Sequence, residues 1–401
     1  MTTFSALLFL ALSGGNGSGE PPTWSRDIAP IVQRRCESCH RPDQAAPFAL
    51  QSFEQFQGRA KTIARVLQDG IMPPWKADAK YDGVFANERR LPNHEKEKIL
   101  AWIEQGMARG EPAEDPPAAV WPVGWSMGEP DVVLSMEHYE DGRPLPPEGF
   151  AVPKEGVVEY QYFKVETSWK EDRWLQAIET RPGSVDVVHH VLILIQDPKR
   201  PSSQLDFRTY LGVAVPGDTS SRYPQGYGKR LPAGATLVFQ MHYTPNGKER
   251  FDRSSVALQF CDETPEFEVV TSAVLNDEFR IPPGAEDHEV RAELTLAEDT
   301  GLVALFPHMH TRGKDFRYVA HLPDGSAEEL LFAHYDFNWQ ESYVLPDPLP
   351  LPAGTRLECI GHFDNSAANP NNPDPSAWVS WGDQTFEEMF IGYYDIVRPV
   401  E

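Results

Sequence analysis

The chain has 401 residues, which is enough for two or three domains that each bury a hydrophobic core. Its 37 proline and 29 glycine residues, with only 24% charged residues, favour a loop-rich β protein over a helical bundle. The net charge of −24 lies mostly after residue 115, which argues against nucleic acid or an anionic membrane as a partner.

Residues 1–23 are predicted to be a signal-peptide-like segment. The first 19 residues carry no charged side chain, and an apolar run at 4–12 is followed by a stretch rich in glycine and serine. Only the positive charges that usually precede such a run are missing. The run is too short to span a bilayer, and no later segment reaches spanning length. We therefore predict an exported protein, periplasmic or extracellular, with no membrane span.

Residues 24–112 are predicted to form a small all-α domain. An apolar stripe at helical spacing leads into Cys36, and further helices are predicted at about 52–70 and 93–106. The order is helix, Cys-x-x-Cys-His, helix, methionine-containing loop and helix. This is the order expected of a small c-type cytochrome domain.

The motif Cys36-Glu-Ser-Cys39-His40 predicts covalent attachment of haem c. Two thiols at this spacing can form thioethers to the haem vinyl groups, and the histidine that follows is then held under the iron. A thioredoxin-like redox pair would need a βαβ context, and a zinc site would need a second pair of ligands. Neither pattern is present in the sequence, so haem attachment is the preferred interpretation.

A soft, neutral sixth ligand is expected from the loop that contains Met72. The two prolines that follow Met72 stiffen this loop and would hold the thioether in place. Met107 is the alternative, although its place after the last helix favours a packing role. A histidine and methionine pair raises the haem potential, which suits an electron carrier.

The sequence changes character after the helical part. Residues 113–155 are rich in proline, glutamate and glycine and are predicted to form an extended connector. From Val157 onward, apolar and polar residues alternate in short runs separated by turn signals. Strands are predicted at 174–179, 187–195, 237–243 and 256–260, and the pattern continues to the C-terminus.

An internal repeat divides this β region into two sandwiches. Leu231-Pro-Ala-Gly234 recurs as Leu351-Pro-Ala-Gly354, which are followed at equal distances by His242 and His362. With the same shift, the pair His189-His190 falls on His308-Met-His310. This register indicates duplication. We predict one sandwich at 156–268 and a second at 269–401.

Two groups of histidines are candidate metal ligands. His308 and His310 are two residues apart, so both imidazoles leave the same face of a strand and can reach one ion. His189 and His190 are adjacent and can share an ion only at a bulge or a strand end. His242 would complete a site of three imidazoles with them. Imidazole alone suits copper, zinc or iron.

Met389 makes the choice of metal more specific. It lies in Phe386-Glu-Glu-Met-Phe-Ile-Gly-Tyr-Tyr394, close to the C-terminus. A thioether next to His308 and His310 would favour Cu(I) and is implausible for zinc. Two alternatives remain: Met389 could simply pack in a core, or His362 could bind the second ion instead, because the repeat places it at the position of His242.

The order His-His, His, His-x-His and then Met before a near-terminal Tyr resembles the copper type II, ascorbate-dependent monooxygenases, over about residues 150–401. The resemblance implies two jelly-roll domains that each hold one copper ion across an open cleft. It implies that one copper stores an electron and that the other binds dioxygen and meets the substrate. The implied ligands of the electron-storing copper are His189, His190 and His242; those of the other are His308, His310 and Met389, with Tyr393 at the place of a family tyrosine.

The substrate-binding positions of the peptide-processing members are changed. Phe306 and Ile391 stand where those enzymes have an arginine and an asparagine that help to hold the peptide. A more apolar substrate is therefore expected. Outside the haem motif only Cys261 and Cys359 remain, and whether they pair stays open.

The combined prediction is a small all-α cytochrome c domain followed by two tandem all-β jelly-roll sandwiches. The function expected is hydroxylation of a C–H bond of a small or apolar substrate with O2, using two copper ions and a covalent haem c. Ascorbate or a redox protein would supply the electrons, and the fused cytochrome domain suggests that they pass through the haem. The alternative is a non-catalytic periplasmic electron-transfer or copper-binding protein. A zinc hydrolase would need an acid–base carboxylate, and only Glu387 and Glu388 are near Met389.

Overall fold

The computed structural model describes residues 20–42, 44, 46–121, 124–199, 209–215 and 219–400. The predicted signal-peptide core, residues 1–19, lies outside the described residues. The chain divides into two compact units. The first combines the described part of Met1–Asp69 with Leu91–Ala119, and the second combines Gly70–Arg90 with the described part of Val120–Glu401.

The first unit is helical. After a π-helical turn at Trp24–Ile28, its α-helices are α1 (Ala29–Arg35), α2 (Phe53–Gln57), α3 (Ala60–Gln68) and α4 (Asn93–Glu104). The single helix predicted at 52–70 is thus two helices. The Ser52 side chain accepts a hydrogen bond from the Gln55 N–H and caps α2, and α2 ends at Gly58.

A cluster of aromatic side chains forms the core of this unit. The ring centre of Trp24 lies 5.5 Å from that of Phe56 and 6.0 Å from that of Trp102. The Trp102 indole N–H donates to the carbonyl of Ala108, so its one polar atom is satisfied inside the core. This packing brings the first and last helices of the unit together.

The second unit is built of β-strands. In its N-terminal half the strands are β1 (Val132–Ser135), β2 (His138–Tyr139), β3 (Phe150–Val152), β4 (Gln161–Glu166), β5 (Arg173–Arg181), β6 (Val188–Gln196), β7 (Tyr210–Ala214), β8 (Ser220–Arg222), β9 (Tyr227–Leu231), β10 (Thr236–Tyr243), β11 (Arg250–Asp252) and β12 (Ser255–Phe260). Strands β5, β6, β10 and β12 cover the four stretches predicted from the period-two pattern, which confirms those predictions.

The C-terminal half contains β13 (Phe267–Leu275), β14 (Arg280–Ile281), β15 (His288–Thr295), β16 (Thr300–His308), β17 (Gly313–His321), β18 (Ala327–Ala333), β19 (Tyr343–Leu351), β20 (Arg356–Phe363), β21 (Val379–Ser380) and β22 (Ile391–Pro399). The described residues are therefore mostly β-sheet with few helices, as predicted for a chain dominated by β-sandwiches.

The two halves share a strand order. In one sheet of each half the order β4-β10-β6-β7 corresponds to β15-β20-β17-β18. In the other sheet β12-β5-β9 corresponds to β22-β16-β19. The repeated Leu-Pro-Ala-Gly segments precede the equivalent strands β10 and β20. The topology therefore supports the duplication that the sequence repeat predicts.

Each half is a jelly-roll-like sandwich whose core lies between its two sheets. In the first sandwich, Leu175 of β5 and Val256 of β12 pack in one cluster with Phe163 of β4 and Phe239 of β10. In the second, Leu305 of β16 and Tyr394 of β22 share a cluster with strands of the opposite sheet, including Phe316 and Leu331. Alternating side chains fill this space because successive residues point to opposite faces of a strand.

One sheet crosses the boundary between the sandwiches. Strand β9 pairs in parallel with β13, and β13 pairs along its length with β22. The buried ammonium of Lys229, on β9, donates to the Thr271 hydroxyl on β13 at 2.6 Å. The sheet that carries His308 on β16 thus runs through both halves, whereas β6 and β10, which carry the three candidate ligands of the first half, belong to a separate sheet of that half.

The segment Gly70–Arg90 packs on the second sandwich. Trp75, Tyr81 and Phe85 are buried in the core cluster of that sandwich. The N–H of Asp78 donates to the carbonyl of Phe332 at 2.9 Å, which pairs the segment with the edge strand β18. Unlike residues 24–69, this segment takes its packing partners from β-strands.

The stretch predicted as a connector also contributes strands. β1 pairs with β12, β2 pairs with β4 and β3 pairs with β11. Most of the region from Val132 to Val152 is therefore built into the first sandwich. None of the helices in the described part of the chain is long and apolar enough to cross a bilayer.

Candidate metal centres

A β-bulge brings three histidines together in the first sandwich. His190 lies opposite His242 on the neighbouring strand, and the next pair is Val188 with Tyr243, so His189 is the extra residue of the bulge. This is the local geometry that two adjacent histidines need to face one point. One ring nitrogen from each of the three histidines lies within 4.8 Å of the others.

The three imidazoles are held neutral. Burial lowers the pKa of His242 to about 3, and it also lowers the pKa of His189. Burial and the neighbouring imidazoles lower the pKa of His190 well below its usual value. Neutral imidazole is the form that ligates metals. If these imidazoles were protonated instead, their positive charges would repel one another at this short distance.

One ring nitrogen of this cluster lacks a partner, although Nε2 of His190 lies 3.4 Å from the Tyr160 hydroxyl. The Nδ1 atom of His242 is buried and has no hydrogen-bond partner among the described residues. The Nδ1 atoms of His189 and His190 are 3.2 Å apart, so at most one of them carries a proton in a hydrogen bond between them. An orphaned buried acceptor is costly, and a cation shared by the three nitrogens would satisfy it. The donor set fits a metal such as copper or zinc.

His308 and His310 form a second candidate site. His308 ends β16 and His310 follows in the turn to β17, with the two ring centres 5.3 Å apart. Gln340 accepts a hydrogen bond from Nδ1 of His308 at 2.6 Å, and the Glu387 carbonyl accepts one from Nδ1 of His310 at 3.3 Å. With both Nδ1 atoms donating, both Nε2 atoms are left with lone pairs for a metal.

The Nε2 atom of His310 is also an orphan. His310 is 1% exposed, and its Nε2 is buried with no hydrogen-bond partner among the described residues. Burial, and to a lesser extent the neighbouring His308, lower its pKa to about 3. The residue is therefore a neutral imidazole with one unused lone pair, which fits a ligand position.

A buried carboxylate fixes the turn that carries His310. Glu388 accepts from the backbone N–H of His310 at 2.8 Å and from that of Arg312 at 2.7 Å. The Arg312 guanidinium lies 3.8 Å from the same carboxylate, and both side chains are buried. Burial raises the pKa of Glu388 to about 8, against the opposing effect of these donors. Glu388 thus has a structural task, which leaves little room for the acid–base role that a zinc hydrolase needs.

Met389 follows Glu388 directly and is half-buried. Strand β22 pairs with β16 so that Phe306 faces Tyr393 and His308 faces Ile391. This pairing ends at His308 and Ile391, and Met389 lies two residues before the start of β22. The hydrogen bond from His310 to the Glu387 carbonyl holds the two segments together at that point. Ligation of a metal ion by the Met389 thioether stays a prediction.

An aromatic wall lies beside His308. The rings of Phe306 and Tyr393 are stacked, with centres 5.2 Å apart and planes at 15°. Tyr210 approaches Phe306 at 5.4 Å, and Tyr393 lies 6.3 Å from His308. With Ile391 buried opposite His308, the side chains next to this histidine are largely apolar.

His362 lies in another environment. Its Nδ1 is 2.7 Å from a carboxylate oxygen of Asp315, and its Nε2 is 3.6 Å from one of Glu289. It belongs to β20, in the sheet opposite β16, and alternates with the buried Phe363. The structure therefore does not place His362 with His308 and His310, although it does place the equivalent His242 with its two predicted partners.

The two remaining cysteines are not paired. Cys359 is buried in the core of the second sandwich. The Sγ atom of Cys261, just after β12, faces the carbonyl of Tyr227 in the first sandwich. Both thiols are free, which answers the question that the sequence left open.

In the first unit, Cys36 to His40 form a helical turn after α1, with the His40 N–H donating to the Cys36 carbonyl at 2.9 Å. Nδ1 of His40 donates to the carbonyl of Phe48 at 3.0 Å, so Nε2 is left for an iron. Both thiols are free, and burial raises the pKa of Cys36 to about 12. These features fit haem attachment at the predicted residues.

The two candidates for the sixth haem ligand lie in different units. Met72 belongs to the second unit, in the segment Gly70–Arg90. Met107 belongs to the first unit, where it packs partly against the helical core with a positive φ of 59°. The packing role expected for Met107 agrees with this position. Ligation by Met72 stays a prediction.

Sequence reasoning missed the connection between β18 and β19, residues 334–342, which we call the 334–342 loop. Phe337 stacks on His189, Asn338 hydrogen-bonds His189, and Gln340 hydrogen-bonds His308. These residues follow neither a strand nor a helix period. The run of aromatic and amide side chains from His334 to Gln340 is the only sequence signal that could have drawn attention to them.

No family model matches the chain, and no curated protein matches it. Among solved structures, an allantoicase from Saccharomyces cerevisiae aligns over 54% of this chain and 79% of its own, with 8% identity and a TM-score of 0.18. PNGF-II aligns over 67% of this chain and 65% of its own, with 8% identity and a TM-score of 0.28. The major capsid protein of bacteriophage PM2 aligns over 64% and 99%, with 8% identity and a TM-score of 0.24.

Proposed function

We propose that the chain is an exported, haem c-containing two-copper monooxygenase that hydroxylates a C–H bond of a small or apolar substrate. The reaction is R–H with O2, two electrons and two protons, giving R–OH and water. The observation that carries the proposal is a buried histidine cluster in each of two sandwiches that share a strand order. Each cluster has a buried ring nitrogen with no hydrogen-bond partner among the described residues, at His242 and His310.

The ligand assignment follows from these nitrogens. His189, His190 and His242 would hold one copper ion, and His308, His310 and Met389 would hold the other. When bound, copper at such sites supplies one-electron storage and the binding of dioxygen. Gln340 and the Glu387 carbonyl keep protons on the Nδ1 atoms of His308 and His310, so that each Nε2 faces its ion.

The residues around His308 support an apolar substrate. Phe306, Tyr393 and Ile391 lie next to His308 and offer aromatic and aliphatic surface. A site lined in this way excludes water from a reacting C–H bond and offers no partner to a substrate carboxylate. Electrons would enter from ascorbate or a redox protein through a haem c attached at Cys36 and Cys39, with His40 as an axial ligand of its iron.

Metal analysis of the full chain tests the ligand assignment. We expect two copper ions per chain in the wild-type protein and one in His242→Ala. The matched control is His362→Ala, since His362 holds the repeat-equivalent position but faces Asp315 and Glu289. Retention of both ions by His242→Ala, or loss of one by His362→Ala, would contradict the assignment.

A non-catalytic copper-binding or electron-transfer protein is the second candidate, favoured by the replacement of peptide-holding residues at Phe306 and Ile391. Oxygen uptake separates the two functions. The copper-loaded, reduced protein should consume O2 when an apolar substrate from a panel is added and should yield the hydroxylated product in equal amount. Copper binding without substrate-dependent oxygen uptake across the panel would favour the second candidate.

A further inference from the structure

The 334–342 loop contacts both histidine sites. The ring of Phe337 stacks on His189, with centres 5.1 Å apart and planes at 13°. The same ring lies 6.3 Å from His242 and 6.2 Å from His310. A single aromatic side chain therefore touches ligand candidates from both sandwiches.

Other side chains of the loop reach one site each. The Asn338 side chain hydrogen-bonds the imidazole of His189 and raises its pKa against the larger, lowering effect of burial. Gln340 accepts the proton of His308 at 2.6 Å. The Tyr335 hydroxyl accepts from the Met309 N–H at 3.0 Å and donates to the Met309 carbonyl at 2.5 Å. Met309 separates His308 from His310, so the loop fixes the backbone of that site as well.

The loop is itself anchored on its far side. The ammonium of Lys76 lies 3.0 Å from Asp336, and the Lys76 N–H donates to Glu341 at 3.1 Å. The N–H of His334 donates to the Lys76 carbonyl at 2.9 Å. The Asn338 N–H donates to Asp336 at 3.1 Å and closes a local turn. These bonds anchor the loop to the segment that contains Lys76, which keeps its side chains beside both sites.

We propose that the 334–342 loop couples the two metal sites, with Phe337 as the positioning residue that sets their spacing. The inference rests on the proposed function insofar as both sites bind copper. A metal ion fixes the orientation of its imidazoles, and the Phe337 ring stacked on His189 must follow. Because the same ring faces His310, the second site is reorganised by the filling of the first. Sites that share such a rigid element typically influence each other's affinity by about 5- to 150-fold.

The experiment is a stepwise titration of the full-length, haem-containing, copper-free protein with Cu(II) alone. Electron paramagnetic resonance reports the occupancy of each site and the dipolar broadening between two bound ions. In the wild-type protein we expect broadening at full loading, and a second binding step whose affinity differs from that of the isolated site by about 5-fold or more. The isolated site is measured in His242→Ala.

Phe337→Leu keeps much of the apolar volume and removes the aromatic ring. We expect its two sites to fill independently and the dipolar broadening to change. Phe337→Tyr keeps the ring and should show the coupled filling and the broadening of the wild type. Phe332→Leu is the matched control, because Phe332 packs edge-on against His334 at the start of the same loop, away from the four histidines of the two sites that Phe337 and Gln340 contact. Its titration should match that of the wild type.

Independent filling in the wild type, or unchanged coupling in Phe337→Leu, would overturn the inference while leaving the two-copper assignment intact. The wild-type titration decides the question even if Phe337→Leu does not fold. Failure of the three-histidine site to take up copper in the wild type would instead refute the proposed function, and the inference with it.

Discussion

The Nδ1 atom of His308 donates a hydrogen bond to Oε1 of Gln340 over 2.6 Å. This contact fixes the tautomer of a histidine on β16 from a loop that follows β18. An imidazole whose Nδ1 proton is held in this way presents Nε2 to a metal and is a stronger base at that atom. The relationship leads to the first prediction.

Gln340→Leu should weaken copper binding at the site of His308 and His310 by about 10- to 100-fold, the usual effect of losing such a supporting hydrogen bond. Gln340→Glu keeps an acceptor and should retain most of the affinity. The measurement is a competitive titration with a chelator of known affinity. Gln240→Leu is a control, because Gln240 bonds Tyr162 in the first sandwich. Equal affinity in Gln340→Leu and the wild type would show that the contact does not position His308.

Glu388 provides a test of the turn between β16 and β17. Replacement by Gln points an amide group at the backbone N–H donors of His310 and Arg312, and above the Glu388 pKa of about 8 it also removes the negative charge that faces the buried Arg312 guanidinium. Removal of one partner of a buried pair costs about 3–5 kcal/mol, so chemical denaturation above that pH should show a loss of that order. Glu293→Gln, whose exposed side chain on β15 pairs with Arg356, should cost about 1 kcal/mol or less. Similar losses for the two variants would contradict the structural task assigned to Glu388.

Site residues on strands could be predicted from the sequence, and those in the 334–342 loop could not. His189, His190 and His242 could be found because strand alternation and the internal repeat constrain them, and the bulge that joins them is the condition that alternation demands. Phe337 and Gln340 could not be found, because a loop without periodicity gives no indication of which distant strand it meets.

The fold shows the same division. Strands β5, β6, β10 and β12 follow from local alternation. The parallel pairing of β9 with β13 is a contact between segments distant in sequence, and local pattern does not determine it. The packing of Gly70–Arg90 on the second sandwich is also a contact that local pattern does not determine. In the sequence alone, Trp75 and Phe85 are equally compatible with a loop that packs on the helical domain.

The stability of the metal-free protein should depend on pH through the buried histidines. Burial lowers the pKa of His242 and His310 from an ordinary 6.5 to about 3. In this range the unfolded chain binds protons that the folded chain does not, so folding is fully favoured by these groups above about pH 6.5. That contribution is lost progressively as the pH falls from 6.5 towards 3.

Urea unfolding of the copper-free protein between pH 7 and pH 4 measures this dependence. We expect the free energy of unfolding to decrease with falling pH, and the slope to be shallower in His310→Gln, which removes one of the groups. His321→Gln is the control, since His321 is a partly buried histidine that pairs with Glu358 and belongs to neither metal site. An identical slope in His310→Gln and the wild type would show that His310 does not titrate as its burial requires.

Met389 is the ligand candidate on which the choice of copper rests. It lies two residues before β22, in the segment whose Glu387 carbonyl accepts a hydrogen bond from Nδ1 of His310. A thioether there stabilises Cu(I), and Met389→Ala removes the only sulfur proposed for either site. X-ray absorption of the reduced, copper-loaded protein should therefore show one sulfur scatterer in the wild type and none in Met389→Ala.

Met241→Ala is the matched control for this measurement, because Met241 is fully buried in the core of the first sandwich and precedes a predicted ligand. Its sulfur signal should equal that of the wild type, even if the protein is less stable by the roughly 2–5 kcal/mol expected of such a core truncation. A sulfur scatterer that persists in Met389→Ala would assign the thioether to another residue. The third ligand of the second site, beside His308 and His310, would then be a residue other than Met389.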